Sequence, residues 1–183
     1  MSARLFVALE LPVAVRGQLA AFGHAAADGD EGLRAVGDDA LHATLAFLGH
    51  RDVADLAPAA EAVRIVDTAA PALALGDPLW LAPRRPHVLT VALDDIDGTL
   101  ATLRATLVER LAEALDWEAE SRRFRAHVTV ARVRRGARVR RDLPDAPQAT
   151  FAGEAVTLFR SHLGRGPARY EALERVALTS PFG

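Results

Sequence analysis

The sequence contains no cysteine and no lysine, and these two absences remove several classes of chemistry. Without cysteine there is no disulfide, no thiolate nucleophile and no cysteine-based zinc site. Without lysine there is no Schiff base, no phosphate-binding P-loop lysine and no lysyl-nucleotide intermediate. All 22 basic side chains are therefore arginines, and proton transfer or anion binding must use other groups.

Long apolar runs are also missing. The first one, Leu5 to Leu9, ends at Glu10 and is too short for a signal peptide or a membrane span. The sequence therefore predicts a cytoplasmic protein with no membrane partner. Half of the 183 residues are apolar, which suffices for one core, so we expect a single bilobal domain over residues 1–183.

Positive charge is concentrated in one stretch although the net charge is only −2. The segment 122–141 holds nine arginines and no acidic residue. Such a segment is either a solvated surface or an attractor for a polyanion. Because it surrounds a candidate catalytic strand, we favour polyanion binding.

Apolar patterning and turn residues predict paired strands with helices between them. The expected strands are 4–11, 33–36, 41–48, 72–81, 87–93, 124–133, 150–163 and 169–178. We predict a helix after Pro12 to about Ala26, one over 53–66 capped by Asp52, and one over 98–115 capped by Asp97. The last two strands are expected to form a hairpin across 164–167. This order indicates an α+β fold with mostly antiparallel sheet.

One short pattern occurs twice. Leu-His-Ala-Thr-Leu-Ala contains His42 and Thr44, and Ala-His-Val-Thr-Val-Ala contains His127 and Thr129. Each copy lies on a predicted strand that follows a strand and a helix, as a duplicated unit requires. Residues i and i+2 of a strand share a face, so two such strands would place two imidazoles and two hydroxyls around one cleft.

These groups suit the opening of a cyclic phosphodiester. One imidazole can activate water and the other can protonate the leaving oxygen, because histidine titrates near neutral pH. Threonine hydroxyls and an arginine can hold the nonbridging oxygens, and no metal or cofactor is required. A single His-x-Thr strand more often holds a structural histidine, but two matching copies favour a catalytic pair.

The remaining candidates have structural interpretations. Surface or structural roles are expected for His24, His50, His87 and His162, and the sequence lacks the His-x-His and His-Glu-x-x-His spacings of zinc enzymes. Both tryptophans are predicted to pack in the core rather than to stack on a base.

The paired motifs resemble those of the two-histidine (2H) phosphoesterase superfamily. Within it, the chain resembles the RNA 2',3'-cyclic phosphodiesterase family, also called the LigT-like 2'-5' RNA ligase or ThpR family. The similar segments are RLFVALELP, LHATLAFLG, FRAHVTVARV and LFRSHLGRGPARYEAL, which together span most of the chain. Alanine stands before the second histidine, where the family usually has proline.

The resemblance implies a bilobal, pseudo-symmetric α+β fold with antiparallel sheets flanking a central cleft and helices outside. It implies metal-independent conversion of an RNA 2',3'-cyclic phosphate to a 2'-phosphate. In that family the residue at His42 protonates the leaving O3' and the residue at His127 activates water. Thr44 and Thr129 would bind phosphate oxygens.

The resemblance also assigns Arg132 to the phosphate and Phe47 to the terminal base. Each lies five positions after its histidine, an odd offset that an ideal strand sends to the opposite face, so a bulge or the strand end must correct it. The expected partner is RNA with a cyclic phosphate end, bound by a monomer, with 2'-5' ligation as the reverse reaction. The alternatives are a phosphoesterase for small cyclic nucleotides, such as ADP-ribose cyclic phosphate, and a noncatalytic RNA- or nucleotide-binding module.

Overall fold

A computed structural model of the chain describes residues 2–64, 69–162 and 168–179. These residues form nine strands and three α-helices, which confirms the α+β prediction. The strands are β1 Ser2–Glu10, β2 Leu33–Ala35, β3 Ala43–Asp52, β4 Ala72–Leu81, β5 Val88–Asp95, β6 His127–Val133, β7 Thr150–Ala152, β8 Ala155–His162 and β9 Arg169–Ala177. The helices are α1 Val13–Asp28, α2 Leu56–Arg64 and α3 Thr99–Ala114.

The sheet consists of two halves that meet at one point. Its order is β7-β4-β5-β6-β3-β1-β8-β9, with β2 on β6, and every pair of these strands is antiparallel. The central strands β3 and β6 pair only through Ala43 and Val128, whereas β1 and β3 pair along most of their length. The halves are therefore joined beside the two His-x-Thr motifs, as the predicted pseudo-symmetry requires.

Helix α1 follows β1 in the chain but packs on the other half of the sheet. Pro12 precedes its first turn, as predicted. Its buried face contacts β6, where Gly23 lies so close that a Cβ atom would be 2.5 Å from the carbonyl oxygen of Val130. Only glycine fits this contact, which links the helix to the strand that begins with His127.

Helix α3 buries a regular apolar stripe and begins differently from the prediction. Leu100, Leu103, Leu107 and Leu111 are buried at helical spacing. The N-cap is Gly98, whose φ of 76° turns the chain into the helix, and Asp97 only accepts a bond from the N–H of Thr99 (3.0 Å). The carboxylate of Asp95 instead accepts hydrogen bonds from the N–H groups of Leu100 (3.2 Å) and Ala101 (2.9 Å), because β5 ends beside the start of the helix.

The predicted strand 150–163 is wrong as one element. Its residues form β7 and β8, which lie on opposite halves of the sheet, next to β4 and β1. Between them Gly153 donates to the carbonyl of Pro71 (3.1 Å), and Glu154 donates to that of Glu10 (3.0 Å). The chain therefore crosses between the halves here, which a local apolar pattern cannot reveal.

Three other boundaries differ. Strand β3 starts after His42 and continues past Gly49 to Asp52, because Gly49 adopts a φ of 71° within the strand. Asp52 makes no side-chain cap; a 3-10 turn over Val53–Asp55 precedes α2. Strand β6 starts at His127 rather than at 124.

The late hairpin is confirmed as the β8–β9 pair, although its turn at 164–167 lies outside the described residues, as do residues 65–66 of the second predicted helix. None of the helices in the described residues is long and apolar enough to cross a membrane.

Candidate active site

The two predicted histidines stand where the halves of the sheet join. His42 directly precedes β3, and His127 is the first residue of β6. Continuing the Ala43–Val128 register by one residue places His42 opposite Thr129 and Thr44 opposite His127. The structure therefore brings all four residues of the two motifs to one place.

Each imidazole is anchored by the same local hydrogen bond. Nδ1 of His42 lies 2.8 Å from the carbonyl oxygen of Ala40, and Nδ1 of His127 lies 2.7 Å from that of Arg125. A carbonyl only accepts, so each Nδ1 carries the hydrogen and donates it. In the neutral ring Nε2 is then an unprotonated acceptor, and it becomes the atom available for proton transfer.

A bulge in β3 corrects the offset of Phe47. The register against β1 shifts by one residue between Thr44 and Ala46, which leaves Leu45 as the extra residue. Leu45 and Ala46 are consequently both buried, and the next side chain returns to the face of Thr44. Phe47 therefore lines the same cavity as His42 and Thr44.

An equivalent bulge in β6 corrects the offset of Arg132. Here the register against β5 shifts between Thr129 and Ala131, and Val130 is the extra residue. Val130 and Ala131 are both fully buried, whereas Arg132 is exposed and lines the His42 cavity. The same irregularity thus follows the Thr of both motifs.

His42 lies in a partly aromatic cavity of about 260 Å³. The Phe6 ring stacks on the imidazole at a centroid distance of 4.9 Å, and the Tyr170 ring meets it edge-on at 5.3 Å. Arg4 and Ser161 complete the wall next to Phe47. His127 and Thr129 are not part of that wall; they lie beside it on β6.

The surroundings of His42 disfavour its charged form. Burial lowers the pKa of His42 from 6.5 to about 4, and the charges of Arg132 and His127 act in the same direction. The hydrogen bond to Ala40 opposes this shift without reversing it. In the ligand-free protein His42 is therefore a neutral imidazole at pH 7.

Phe47 offers an aromatic surface at the rim of the cavity. Its side chain is 42% exposed, and the Arg4 guanidinium lies 4.8 Å from the ring centroid. Trp117 contacts β3 at this residue, because its Nε1 donates a hydrogen bond to the carbonyl oxygen of Phe47 (3.2 Å). The prediction placed Trp80 and Trp117 in the core, but both are only partly buried and pack against it.

Sequence reasoning missed five residues of this cavity: Arg4, Phe6, Ser161, Ala168 and Tyr170. Arg4 and Phe6 are two apart on β1, so the alternation of that strand could have placed them on one face. Ser161 and Tyr170 come from β8 and β9, and they are cross-strand partners. No local signal shows that β8 lies beside β1 and that β9 follows it at the edge of the sheet.

The arginine-rich segment divides into bonded and unbonded side chains. Arg134 donates to the carbonyl of Glu31 (3.0 Å), Arg141 donates to that of Pro83 (2.7 Å), and Arg140 pairs with Asp142. Within the described residues, six make no side-chain hydrogen bond or ion pair, namely Arg122, Arg123, Arg125, Arg132, Arg135 and Arg138. The described residues also contain no group of three or more His, Asp or Glu side chains that could hold a metal ion.

Solved structures similar to this chain share its fold over nearly the full length. Escherichia coli LigT in its apo form matches with a TM-score of 0.79 and 26% identity, covering 97% of this chain and 98% of LigT. A structure described as a phosphoesterase matches with a TM-score of 0.79 and 27% identity, covering 98% and 99%. The protein TT0787 of Thermus thermophilus matches with a TM-score of 0.78 and 25% identity, covering 97% and 99%.

E. coli LigT also has structures in complex with 3'-AMP, ATP and NADP+. No protein-family model matches the sequence, and a comparison with curated proteins finds no match. The chain thus shares its fold with these proteins at about a quarter identity, and its paired motifs meet at one site. On these grounds the chain resembles the LigT-like two-histidine phosphoesterases in its fold and in its paired motifs.

Proposed function

We propose that this protein hydrolyses RNA 2',3'-cyclic phosphate ends to 2'-phosphate ends without a metal ion, with His42 and His127 as the acid–base pair. The observation that supports this most is the juxtaposition of two His-x-Thr strand starts across the Ala43–Val128 pair. Both imidazoles are held through Nδ1, so two Nε2 atoms are available at one place for the two proton transfers.

The proposed reaction is a single displacement at phosphorus. Nε2 of His127 accepts a proton from water while the water oxygen bonds to phosphorus. The P–O3' bond breaks, and O3' receives a proton from Nε2 of His42. The products are a 2'-phosphate and a free 3'-hydroxyl, and exchange with solvent returns each histidine to its starting state.

The neutral state of His42 makes its protonation depend on substrate. An acid must carry its proton when the P–O3' bond breaks, and in the free protein the pKa of His42 is only about 4. A bound phosphodiester anion raises this pKa, because it offsets the positive charge of Arg132 and favours imidazolium. The site would therefore become acid-competent mainly when substrate is bound.

The other motif residues complete the site. Thr44 and Thr129 lie opposite the histidines and would donate to the nonbridging oxygens, with Arg132 as a charge-assisted donor. The exposed ring of Phe47 would stack on the terminal base, and stacking accepts any base. The proposal includes RNA as partner, a monomeric single domain and a cytoplasmic location.

A direct assay separates this proposal from its alternatives. Purified protein is incubated in EDTA with an oligoribonucleotide ending in a 2',3'-cyclic phosphate and, separately, with a cyclic mononucleotide and ADP-ribose cyclic phosphate. The mass of the product shows whether the cyclic phosphate has been opened. A treatment that acts on 2'-phosphates and not on 3'-phosphates then identifies the end that was formed. We expect conversion of the oligonucleotide to a 2'-phosphate at a rate unaffected by EDTA.

Three results would contradict the proposal. Loss of activity in EDTA with recovery on adding a divalent metal would indicate a metal-dependent phosphoesterase. Turnover of ADP-ribose cyclic phosphate or cyclic mononucleotide alone would indicate a small-nucleotide enzyme. Binding of all substrates with no turnover would indicate a noncatalytic module. Reverse 2'-5' ligation is tested separately, by incubating the cyclic-phosphate oligonucleotide with an oligonucleotide that has a 5'-hydroxyl end.

A further inference from the structure

A second arginine stands directly opposite Arg132. Arg34 on β2 is the cross-strand partner of Arg132 on β6. Directly opposite residues of an antiparallel pair project to the same face with Cβ atoms about 5 Å apart. Arg34 therefore faces the same side of the sheet as the catalytic motifs, although no sequence motif includes it.

Two like charges in this position are destabilising unless an anion lies between them. Both side chains are exposed, and within the described residues neither makes a hydrogen bond or an ion pair. Asp38 and Asp39 lie in the same cavity, but Asp39 is 4.0 Å from Arg16, and neither carboxylate pairs with Arg34 or Arg132. The arginine pair thus keeps its full donor capacity.

The pair lies in a continuation of the candidate active site. A cavity of about 420 Å³ contains both Arg34 and Arg132, and it shares Arg132, Ala168 and Tyr170 with the cavity of His42. A chain whose terminal phosphate is at His42 can continue past Tyr170 into this second cavity. Phe47 lines the cavity of His42 and does not line the cavity that contains Arg34.

We propose that Arg34, together with Arg132, binds the phosphodiester that precedes the terminal nucleotide of the substrate. This inference rests on the proposed function and deepens it, because it identifies the residue that distinguishes an oligonucleotide from a mononucleotide. Arg132 has donors enough to contact the reacting phosphate and the neighbouring one, whereas Arg34 reaches only the neighbouring one.

The test compares three substrates that end in the same 2',3'-cyclic phosphate. They are a mononucleotide, a dinucleotide with an ordinary phosphodiester linkage and a dinucleotide with an uncharged methylphosphonate linkage. For the wild-type protein we expect kcat/KM for the charged dinucleotide to exceed that for the uncharged one about tenfold. In Arg34→Ala this ratio should fall to about one, and Arg34→Lys should keep part of it.

Arg110→Ala is the matched control, because it removes one exposed arginine from helix α3, far along the chain from this cavity. It should leave the tenfold ratio unchanged. A ratio that survives in Arg34→Ala, or one that is about one in the wild type, overturns the inference. An equal loss in Arg110→Ala also overturns it, because the effect would then reflect overall charge.

Binding separates this inference from the proposed function. Dinucleotides with a 2'-phosphate end and either linkage are titrated calorimetrically, which requires no turnover. If the wild-type protein cleaves none of the cyclic substrates, the proposed function fails. A linkage-dependent Kd that is lost in Arg34→Ala would still support the second phosphate site, and a Kd independent of linkage would overturn it.

Discussion

His42 and His127 are each held by a hydrogen bond from Nδ1 to the carbonyl two residues earlier. The side chains that pack around His42 are aromatic. The Phe6 ring lies against one face of the His42 imidazole, and Tyr170 meets it edge-on. This enclosure explains why burial is the main cause of the low pKa of His42. The same imidazole is therefore both a candidate proton donor and a group whose charge costs stability.

Replacing either histidine should remove most of the catalysis while leaving the fold intact. For His42→Ala and His127→Ala we expect single-turnover rates lower by about 10² to 10⁴, the usual contribution of a positioned acid or base. His24→Ala, which changes an exposed histidine of α1, is the control. Circular dichroism checks the fold, and a rate within about threefold of wild type for either variant would contradict the paired mechanism.

A substrate with sulfur in place of O3' assigns the acid. A thiolate leaves without needing a proton, because thiol pKa values are far below those of alcohols. His42→Ala should therefore cleave this substrate much faster than the oxygen substrate, and His127→Ala should not. If only His127→Ala cleaved the sulfur substrate faster than the oxygen substrate, His127 would be the acid and His42 the base.

The depressed pKa of His42 also predicts a pH-dependent stability. The unfolded chain binds a proton at this residue below about pH 6.5, whereas the folded protein resists it until about pH 4. Stability from this group is thus complete above pH 6.5 and is lost as the pH falls toward 4. Between about pH 7.5 and 4.5, wild type should lose about 2 to 3 kcal/mol more than His42→Gln.

Urea unfolding at the two pH values measures this difference, since other titrating groups are shared by both proteins. Parallel losses in wild type and His42→Gln would show that His42 titrates normally in the folded protein. An NMR titration of the His42 ring gives the same answer directly.

At the scale of elements, the bulges and the α1–β6 contact determine where the motif side chains point. Val130 is the extra residue of the β6 bulge, and its carbonyl is the group that Gly23 of α1 approaches. The helix therefore packs directly on the irregularity that turns Arg132 toward the cleft. A change at Gly23 should disturb both stability and this part of the site.

Two glycines of α1 provide a matched test. Gly23→Ala places a Cβ atom 2.5 Å from a backbone oxygen, so we expect a loss of about 1 to 3 kcal/mol in unfolding free energy. Gly17→Ala has no atom within 4 Å of its new Cβ and should gain about 0.5 to 1 kcal/mol from helix propensity. Denaturant unfolding measures both, and equal effects would contradict the described packing.

At the scale of the whole molecule, positive charge is arranged unevenly although the net charge is −2. Six arginines of segment 122–141 make no ion pair or side-chain hydrogen bond with the described residues, so they are available to a polyanion. These unpaired arginines support the interpretation of that segment as a contact for upstream phosphates.

Long oligonucleotides should therefore be preferred at low salt. We expect kcat/KM for a cyclic-phosphate decamer to exceed that for a mononucleotide, and this preference should decline as salt rises, because arginine–phosphate contacts release counterions. Arg138→Ala should reduce the salt slope by up to about 0.7 for the decamer, the value of one single-strand phosphate contact. Equal turnover of both substrates at low salt would contradict an RNA substrate.

The sequence by itself determined the elements and the chemistry of the motifs. Apolar alternation located most strands, and the leucine spacing located α3, because these signals depend only on neighbours along the chain. The two His-x-Thr copies indicated a shared site, since side chains two apart on a strand share a face. The structure brings these copies together at the Ala43–Val128 pair.

Only the tertiary structure decided which distant residues surround those motifs. Strand order places Tyr170 beside His42, and strand register places Arg34 opposite Arg132. Both arise from long-range packing rather than from a local pattern. The bulges after Thr44 and Thr129 depend on pairing with β1 and β5, and the low pKa of His42 depends on burial by side chains from other strands. The sequence identifies the residues that we propose to react, whereas their common face and the low pKa of His42 follow from the assembled sheet.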